Sequence, residues 1–366
     1  MVRKETYDFA PDYAVAPGET LREAIADLGM SQVEFAQRMG ITVQSLSRIL
    51  KGDQPITYDT ARKLELVTGI SCEFWNNMEA RYREQLQFFS LQKQRSEFEV
   101  FNKQFPIKEL SKRGFIKLSK NPVEQGMEVL RFFQISSITA FDEYKKSTMA
   151  AARSSAAFST TPANAVTYIN MGLHEAREII VKPFSEYNFK SALNRARAMT
   201  KDCPQRFSVD LQNIFASAGV ALVFIPPFKG VHFSGVSKWI TPAKAMIIMN
   251  IRGKAEDRFW FSLFHEAAHI LYHGKKKIYI AETSPSDPDE IEADKRAAEF
   301  LIPSKYNCII KAVKSASEIV SIANKLGISA GIVAGRYQYL TRRWQEYKSL
   351  IHPLKWVDYK DTKEEE

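Results

Sequence analysis

The sequence predicts an α+β protein that is predominantly helical, with an all-α N-terminal domain and a C-terminal domain that contains a small three-stranded sheet. Three observations support this prediction. Short stretches of helical periodicity, separated by glycines, fill residues 15–88. Short apolar runs bounded by glycine and proline are concentrated in residues 220–250. A further helical pattern then surrounds two histidines that are four positions apart.

Capping residues and glycines delimit the N-terminal helices. Pro17 opens the first helix and Gly29 ends it, while Ser31 and Glu34 form the capping box of the second. The predicted helices cover residues 17–28, 31–39, 42–50, 57–68 and 72 to about 91.

Residues 30–52 have the helix, glycine turn and helix of a DNA-binding helix-turn-helix. Polar side chains on the exposed faces of the second helix suit base edges and phosphates, and the start of the first helix is a common place for a backbone phosphate. The candidate DNA-contacting residues are Gln32, Thr42, Gln44, Ser45, Ser47 and Arg48. The alternative is a small helical bundle with a polar surface.

Residues 17–88 resemble the HigA-type antidotes of toxin–antitoxin systems, within the larger Xre/Cro-type helix-turn-helix class. The resemblance rests on Pro17-Gly18-Glu19, Gly29-Met30-Ser31-Gln32, Leu50-Lys51-Gly52, Pro55-Ile56-Thr57, Thr60-Ala61 and Ser71-Cys72-Glu73-Phe74-Trp75-Asn76. It implies that this module binds a palindromic operator in double-stranded DNA, and we expect a homodimer. The chain has a net charge of +9, but residues 1–88 hold 10 Lys and Arg against 13 Asp and Glu, which argues against very tight nonspecific DNA binding.

The second half of the chain combines predicted strands with two helices. Strands are predicted at residues 220–225, 233–240 and 245–250, and helices at 255–272 and 289–301. The first of these helices contains His265-Glu266-Ala267-Ala268-His269. Because residues four apart share one face of a helix, both imidazoles can reach one tetrahedral metal ion. Glu266 is then placed to act as general base and acid toward a metal-activated water.

A third ligand is expected from the helix at residues 289–301. Glu290 and Asp294 are four apart, so Glu290 can bind the metal while Asp294 supports a ligating histidine. Glu292 is the alternative ligand, and it faces away from Glu290 because successive residues turn by ~100°. His273 would lie about 12 Å along the helix axis from His265, so we interpret it as a helix-end residue.

These residues also resemble the ImmA/IrrE-type metallopeptidases over about residues 190–340. The resemblance rests on the strand at residues 220–225, the His265–His269 helix with Leu271-Tyr272-His273, the Glu290-x-Glu292-Ala293-Asp294 helix, Phe300-Leu301-Ile302-Pro303, Leu326-Gly327-Ile328-Ser329 and Gly335-Arg336-Tyr337. It implies a zincin-like fold, a Zn²⁺ cofactor, and cleavage of a repressor protein that derepresses genes.

We therefore divide the chain into a helix-turn-helix domain (1–90), a helical connector of unknown role (91–185), a metallopeptidase domain (186–345) and a charged tail (346–366). The leading hypothesis is a DNA-binding regulator with a zinc-dependent endopeptidase domain that cleaves a repressor or partner protein. The alternative is a non-catalytic antidote and autorepressor whose peptidase-like domain binds a toxin. A third hypothesis is an adaptor that senses nucleic acid through the connector.

Composition predicts the cellular compartment. No stretch approaches the ~18–20 apolar residues that span a bilayer, and the N-terminal residues lack the apolar region of a secretory signal. Cys72, Cys203 and Cys308 are odd in number and widely spaced, unlike a disulfide framework. We expect a cytoplasmic protein that does not enter a membrane.

Overall fold

A computed structural model describes residues 13–151, 160–201, 207–280 and 287–356. Cys203 and the end of the predicted charged tail lie outside these ranges. The chain forms two compact units, residues 1–100 with 120–126 and residues 101–119 with 127–366. Most of the predicted connector, residues 91–185, belongs to the second unit. The division into a DNA-binding domain, a connector, a metallopeptidase domain and a tail stays a prediction.

The first unit contains a bundle of short helices that begin and end where the caps predict. Ser31, Thr42, Thr57 and Ser71 each accept a hydrogen bond from a backbone N–H in the first turn, and Gly40, Gly52 and Gly69 adopt left-handed backbone at the C-termini. The helices are α1 (Pro17–Asp27), α2 (Gln32–Met39), α3 (Val43–Lys51), α4 (Tyr58–Thr68) and α5 (Cys72–Gln92).

A single apolar core holds these helices together. Leu21, Phe35, Leu46 and Leu64 come from four different helices and are at most 1% exposed. Trp75, at the start of α5, is also fully buried in this core. Each helix therefore contributes one apolar stripe to a common interior.

The rest of the chain consists of further helices and a small sheet. Before the sheet come α6 (Arg95–Asn102), α7 (Ile107–Lys112), α8 (Pro122–Phe133), α9 (Ile138–Ala151), α10 (Pro162–Glu178), α11 (Glu186–Met199) and α12 (Phe207–Ala216). Among and after its strands come α13 (Glu256–Tyr272), α14 (Pro288–Leu301), α15 (Asn307–Lys311), α16 (Ala316–Leu326) and α17 (Ala330–Thr341).

The sheet has four strands in the described residues, β1 (Val220–Phe224), β2 (Gly235–Thr241), β3 (Lys244–Met249) and β4 (Ile278–Ile280). Their order is β1-β3-β2-β4, with β1 parallel to β3 and the other pairs antiparallel. The predicted α+β class is confirmed, but the prediction of three strands was wrong. The additional strand β4 follows the lysine-rich turn, and its pairing with β2 stabilises it.

Helices cover both faces of this sheet. On one face α10 packs closely, because a Cβ on Gly172 would come within 2.1 Å of Cδ1 of Ile248. Side chains alternate between the faces along a strand, so Ile247 and Met249 point the opposite way, into the core shared with α11, α12 and α13. The sheet thus forms one wall of the apolar core that also contains the buried side chains of the histidine-bearing helix α13.

No single helix in the described ranges is long and apolar enough to cross a membrane. The pair α16 and α17, bent by 116° at its break, meets the same criteria of length and composition when the two helices are taken together.

Candidate metal centre and DNA-contacting helix

Helix α13 places two imidazoles side by side. His265 and His269 are one turn apart, and they are 5% and 1% exposed. The helix is held by apolar side chains on its other faces, among them Leu263 and Ala267, which are fully buried in the core. The Nε2 atoms of the two histidines lie 3.0 Å apart.

Glu290, in the first turn of α14, reaches both imidazoles. Its Oε2 lies 3.0 Å from Nε2 of His265, and its Oε1 lies 3.3 Å from Nε2 of His269. The ligand atoms of these three residues all lie within 4.8 Å of one another. Two nitrogens and a carboxylate from two packed helices therefore converge on one point.

The separations between these atoms fit a tetrahedral metal ion. Zinc bonds of ~2.0–2.1 Å place adjacent ligand atoms about 3.3–3.4 Å apart. The observed separations of 3.0–3.3 Å are close to that value. Two imidazoles and one carboxylate are also the ligand types of zinc sites that keep a position open for a reactant.

Electrostatics couple the three groups. Burial opposes protonation of His265, but hydrogen bonds with Asp294 and Glu290 outweigh it and raise the pKa of His265 to about 10. Burial lowers the pKa of His269. Burial also acts to raise the pKa of Glu290, but its contacts with the two histidines prevail and lower that pKa to about 2. The carboxylate is therefore ionised and suited to a cation.

The Nδ1 atoms of both histidines, on the far side of each ring, also have partners. Nδ1 of His265 lies 2.8 Å from Oδ1 of Asp294, and Nδ1 of His269 lies 2.8 Å from Nδ1 of His273. The ring of Tyr279 stacks on His269 with centroids 4.0 Å apart, and its hydroxyl donates to Asp289. Each imidazole is thus held on several sides.

The side chain of Glu266 extends from α13 toward the first residue of strand β2. Its side chain is fully buried, and a Cβ built on Gly235 would lie 2.7 Å from both its Cγ and its Oε1. The glycine at the start of β2 therefore leaves the space that this carboxylate occupies.

Glu292 lies apart from the three converging residues. Its Oε1 accepts hydrogen bonds from Arg296, and its Oε2 is 3.6 Å from Nε2 of His273. Glu290 and Glu292 therefore meet different histidines, as the turn of ~100° per residue leads one to expect.

Some of the predicted DNA-contacting side chains are exposed, and others are half-buried or hydrogen-bonded within the protein. Gln32, Gln44 and Arg48 are exposed on α2 and α3. Thr42 is also exposed, but its hydroxyl accepts from the backbone of Ser45 and caps α3. Ser45 and Ser47 are half-buried, and the Ser45 hydroxyl donates to Gln54.

The sequence analysis did not predict that three further residues lie near the candidate metal centre. These residues are His273, Tyr279 and Gly235. His273 carried a signal, since it continues the four-residue spacing of the other two histidines. Tyr279 and Gly235 carried none, because their approach to α13 depends on strands that are distant in sequence.

Comparisons with known proteins match two separate segments of the chain to two families. Residues 21–75 match the helix-turn-helix family, and residues 218–337 match the IrrE N-terminal-like domain family. YddM, an uncharacterised HTH-type transcriptional regulator of Escherichia coli K12, is 36% identical over 63 residues, which are 17% of this chain and 67% of YddM.

Among solved structures, a HigA-family addiction module antidote from Coxiella burnetii is 32% identical. The match covers 24% of this chain and 92% of the antidote, with a TM-score of 0.21. The antitoxin GraA is 23% identical, with 24% of this chain covered, 90% of that chain and a TM-score of 0.21.

Fold and sequence together define a two-part regulator. The chain belongs to the helix-turn-helix family, and its residues 218–337 match the IrrE N-terminal-like domain family. It is therefore a DNA-binding helix-turn-helix regulator fused to an IrrE-like domain.

Proposed function

We propose that the IrrE-like domain is a zinc-dependent endopeptidase that cleaves a repressor or another partner protein of this regulator. The convergence of His265, His269 and Glu290 on one point carries the proposal. These three residues would hold the zinc ion, and Asp294 would fix the orientation of His265 through Nδ1.

The proposed hydrolysis uses a Lewis acid and a group that moves a proton. Bound zinc supplies the first, because it polarises a peptide carbonyl and makes water a better nucleophile. Glu266 supplies the second: its carboxylate accepts the proton of the attacking water and passes it to the amine that leaves. Its complete burial excludes bulk water from that transfer.

The helix-turn-helix part would bring this activity to DNA. We propose that it binds a palindromic operator as a homodimer, with Gln44 and Arg48 at base edges and Gln32 at a phosphate. Gln32, Gln44 and Arg48 are exposed, which supports direct contact. We propose Thr42, Ser45 and Ser47 as further contacts with DNA. The hydroxyl of Thr42 also caps α3, and the hydroxyl of Ser45 also donates to Gln54.

Glu266→Gln tests the enzyme hypothesis. Glutamine keeps the size of the side chain but cannot accept the proton, so cleavage should fall by about 10²–10⁴-fold while one zinc ion per chain is retained. The measurement is cleavage of the protein that the neighbouring gene encodes, together with elemental analysis. Glu175→Gln, an exposed glutamate on α10, is the matched control.

Two further variants separate metal binding from catalysis. His269→Ala and Glu290→Gln should weaken zinc binding itself, because each alters an atom in the converging set. If purified wild-type protein takes up no zinc when zinc is added, the enzyme hypothesis is wrong. If wild type and Glu266→Gln both restrain a neighbouring toxin and neither cleaves it, the protein is a non-catalytic antidote.

A further inference from the structure

The ring of His273 lies against the metal-ligand candidate His269 at the end of α13. The helix ends at Tyr272, and His273 adopts an extended backbone with φ −116° and ψ 168°. Its side chain is 4% exposed, between the rings of His269 at 4.9 Å and Tyr279 at 5.4 Å. A histidine at an exposed helix end is therefore turned into the interior.

The contact between these two histidines involves particular atoms. Nδ1 of His273 lies 2.8 Å from Nδ1 of His269, while Nε2 of His269 faces His265 and Glu290. His273 is thus behind His269 and not among the converging ligand atoms. If Nε2 of His269 binds a metal, its Nδ1 carries a hydrogen and requires an acceptor.

His273 can supply that acceptor as a neutral imidazole. With Nδ1 accepting, its own hydrogen is on Nε2. That Nε2 lies 3.6 Å from Oε2 of Glu292, a distance too long for a hydrogen bond but close enough for a carboxylate to favour a hydrogen there. Glu292, which lies apart from the converging atoms of His265, His269 and Glu290, is placed to set the tautomer of His273.

We propose that His273 is a positioning residue for the metal centre: its Nδ1 accepts the Nδ1–H of His269 and so aims Nε2 of His269 at the ion. The proposal rests on the zinc site proposed above. It completes a matching pair, because Asp294 performs the same task for His265. Groups that orient a ligating histidine in this way typically contribute 10–100-fold to metal affinity.

The test compares variants of His273 whose side chains place a hydrogen-bond acceptor at the position of Nδ1, near the position of Nε2, or at neither. In His273→Asn the amide oxygen can occupy the place of Nδ1, whereas in His273→Gln the amide lies near the place of Nε2. His273→Leu has no acceptor. His352→Leu, at an exposed histidine, is the control for loss of an imidazole. The measurement is the zinc dissociation constant of the full chain, from competition with a chelating dye.

We expect His273→Gln and His273→Leu to bind zinc 10–100-fold more weakly, His273→Asn to stay within a few-fold of wild type, and His352→Leu to be unchanged. Wild-type affinity in both the Gln and Leu variants would overturn the proposal. Equal loss in the Asn, Gln and Leu variants would also overturn it, because packing of the ring and not its acceptor would then matter.

Thermal unfolding of each variant accompanies the titration. If His273→Leu fails to fold, the zinc affinities of His273→Asn and His273→Gln still test the proposal. Their side chains are similarly polar and differ in where they place the acceptor. If wild type binds no zinc, the zinc site itself is refuted; if wild type binds one zinc and all the variants match it, only the role of His273 is refuted.

Discussion

Gly235 sets the space in which Glu266 lies. Any side chain at this position meets the carboxylate, because a Cβ would lie 2.7 Å from Oε1. The contact joins the first residue of β2 to the middle of α13, so the sheet determines where the proposed general base points.

Gly235→Ala should lower peptidase activity by on the order of 10–100-fold while zinc is retained, because a displacement of about 1 Å at a reacting group is enough for such a loss. Cleavage of the partner protein and zinc content measure this. Gly274→Ala, where a Cβ would meet nothing within 4 Å, is the matched control. Full activity in Gly235→Ala would mean that Glu266 adapts to the methyl group.

On the DNA side, Arg48→Ala and Gln44→Ala should each weaken operator binding without loss of fold. Both side chains are exposed on α3, and a good base-edge contact contributes about 1–3 kcal/mol. A gel-shift titration with the upstream region of the chain's own gene measures the effect. Arg81→Ala removes an exposed positive charge from α5 and should not change affinity. Unchanged affinity in both α3 variants would place the DNA contact elsewhere.

At the scale of helices and strands, α1 and α3 cross at Gly18. A Cβ there would lie 2.3 Å from the carbonyl oxygen of Leu50, which is backbone and cannot turn aside. Alanine normally favours a helix over glycine by about 1 kcal/mol. We expect the free-energy cost of the clash to exceed this gain in helix propensity, because the two helices must separate to relieve it.

Gly18→Ala should therefore destabilise the N-terminal unit by about 1–3 kcal/mol, as overpacked cores usually do. Chemical denaturation followed through Trp75, which is buried in this core, gives the free energy of unfolding. Glu23→Ala, at an exposed position of the same helix, controls for the change in helix propensity. An increase in stability would show that the crossing tolerates the methyl group.

The elements differ in how far the sequence could predict them. The N-terminal helices were predictable because their caps and glycines act within a few residues, as at Thr42 and Gly52. Strand β4 was missed because its three residues follow three lysines and are stabilised by pairing with β2, about forty positions earlier. The contact of His273 was missed because the helix ends one residue before it.

The proximity of His265 to His269 follows from helical spacing alone, and the turn per residue predicts that Glu290 and Glu292 cannot both face one metal ion. Neither rule could show where α14 lies against α13, since that depends on the whole core. The same is true of Tyr279, whose stacking on His269 depends on the position of β4.

At the scale of the whole molecule, one buried carboxylate joins distant parts of the second unit. Glu256, in the first turn of α13, is 4% exposed. Its Oε1 accepts from the hydroxyl of Ser329 at 3.0 Å and from the backbone N–H of His352 at 3.1 Å. Burial raises the pKa of Glu256, although these hydrogen bonds act to lower it.

A raised pKa means that the folded chain binds this proton more tightly than the unfolded chain. The stability from Glu256 is therefore present at low pH and is lost as pH rises from the ordinary glutamate value through the folded one. Glu256→Gln should melt at a higher temperature than wild type at pH 7, and the difference should vanish near pH 4. Thermal unfolding at both pH values measures this.

Glu175→Gln should match wild type at both pH values. A lower melting temperature of Glu256→Gln at pH 7 would show that the ionised carboxylate's hydrogen bonds with Ser329 and His352 outweigh the cost of its burial.

Three acidic residues of α14, Glu290, Glu292 and Asp294, meet the three histidines in and just after the second half of α13. Whatever binds at that junction also holds α14 in place. Zinc should therefore slow the exchange of amide hydrogens in residues 288–301, because local opening of α14 must first release the ion. Mass spectrometry with and without zinc should show this protection in α14 and none in α4, and equal exchange in α14 under both conditions would contradict it.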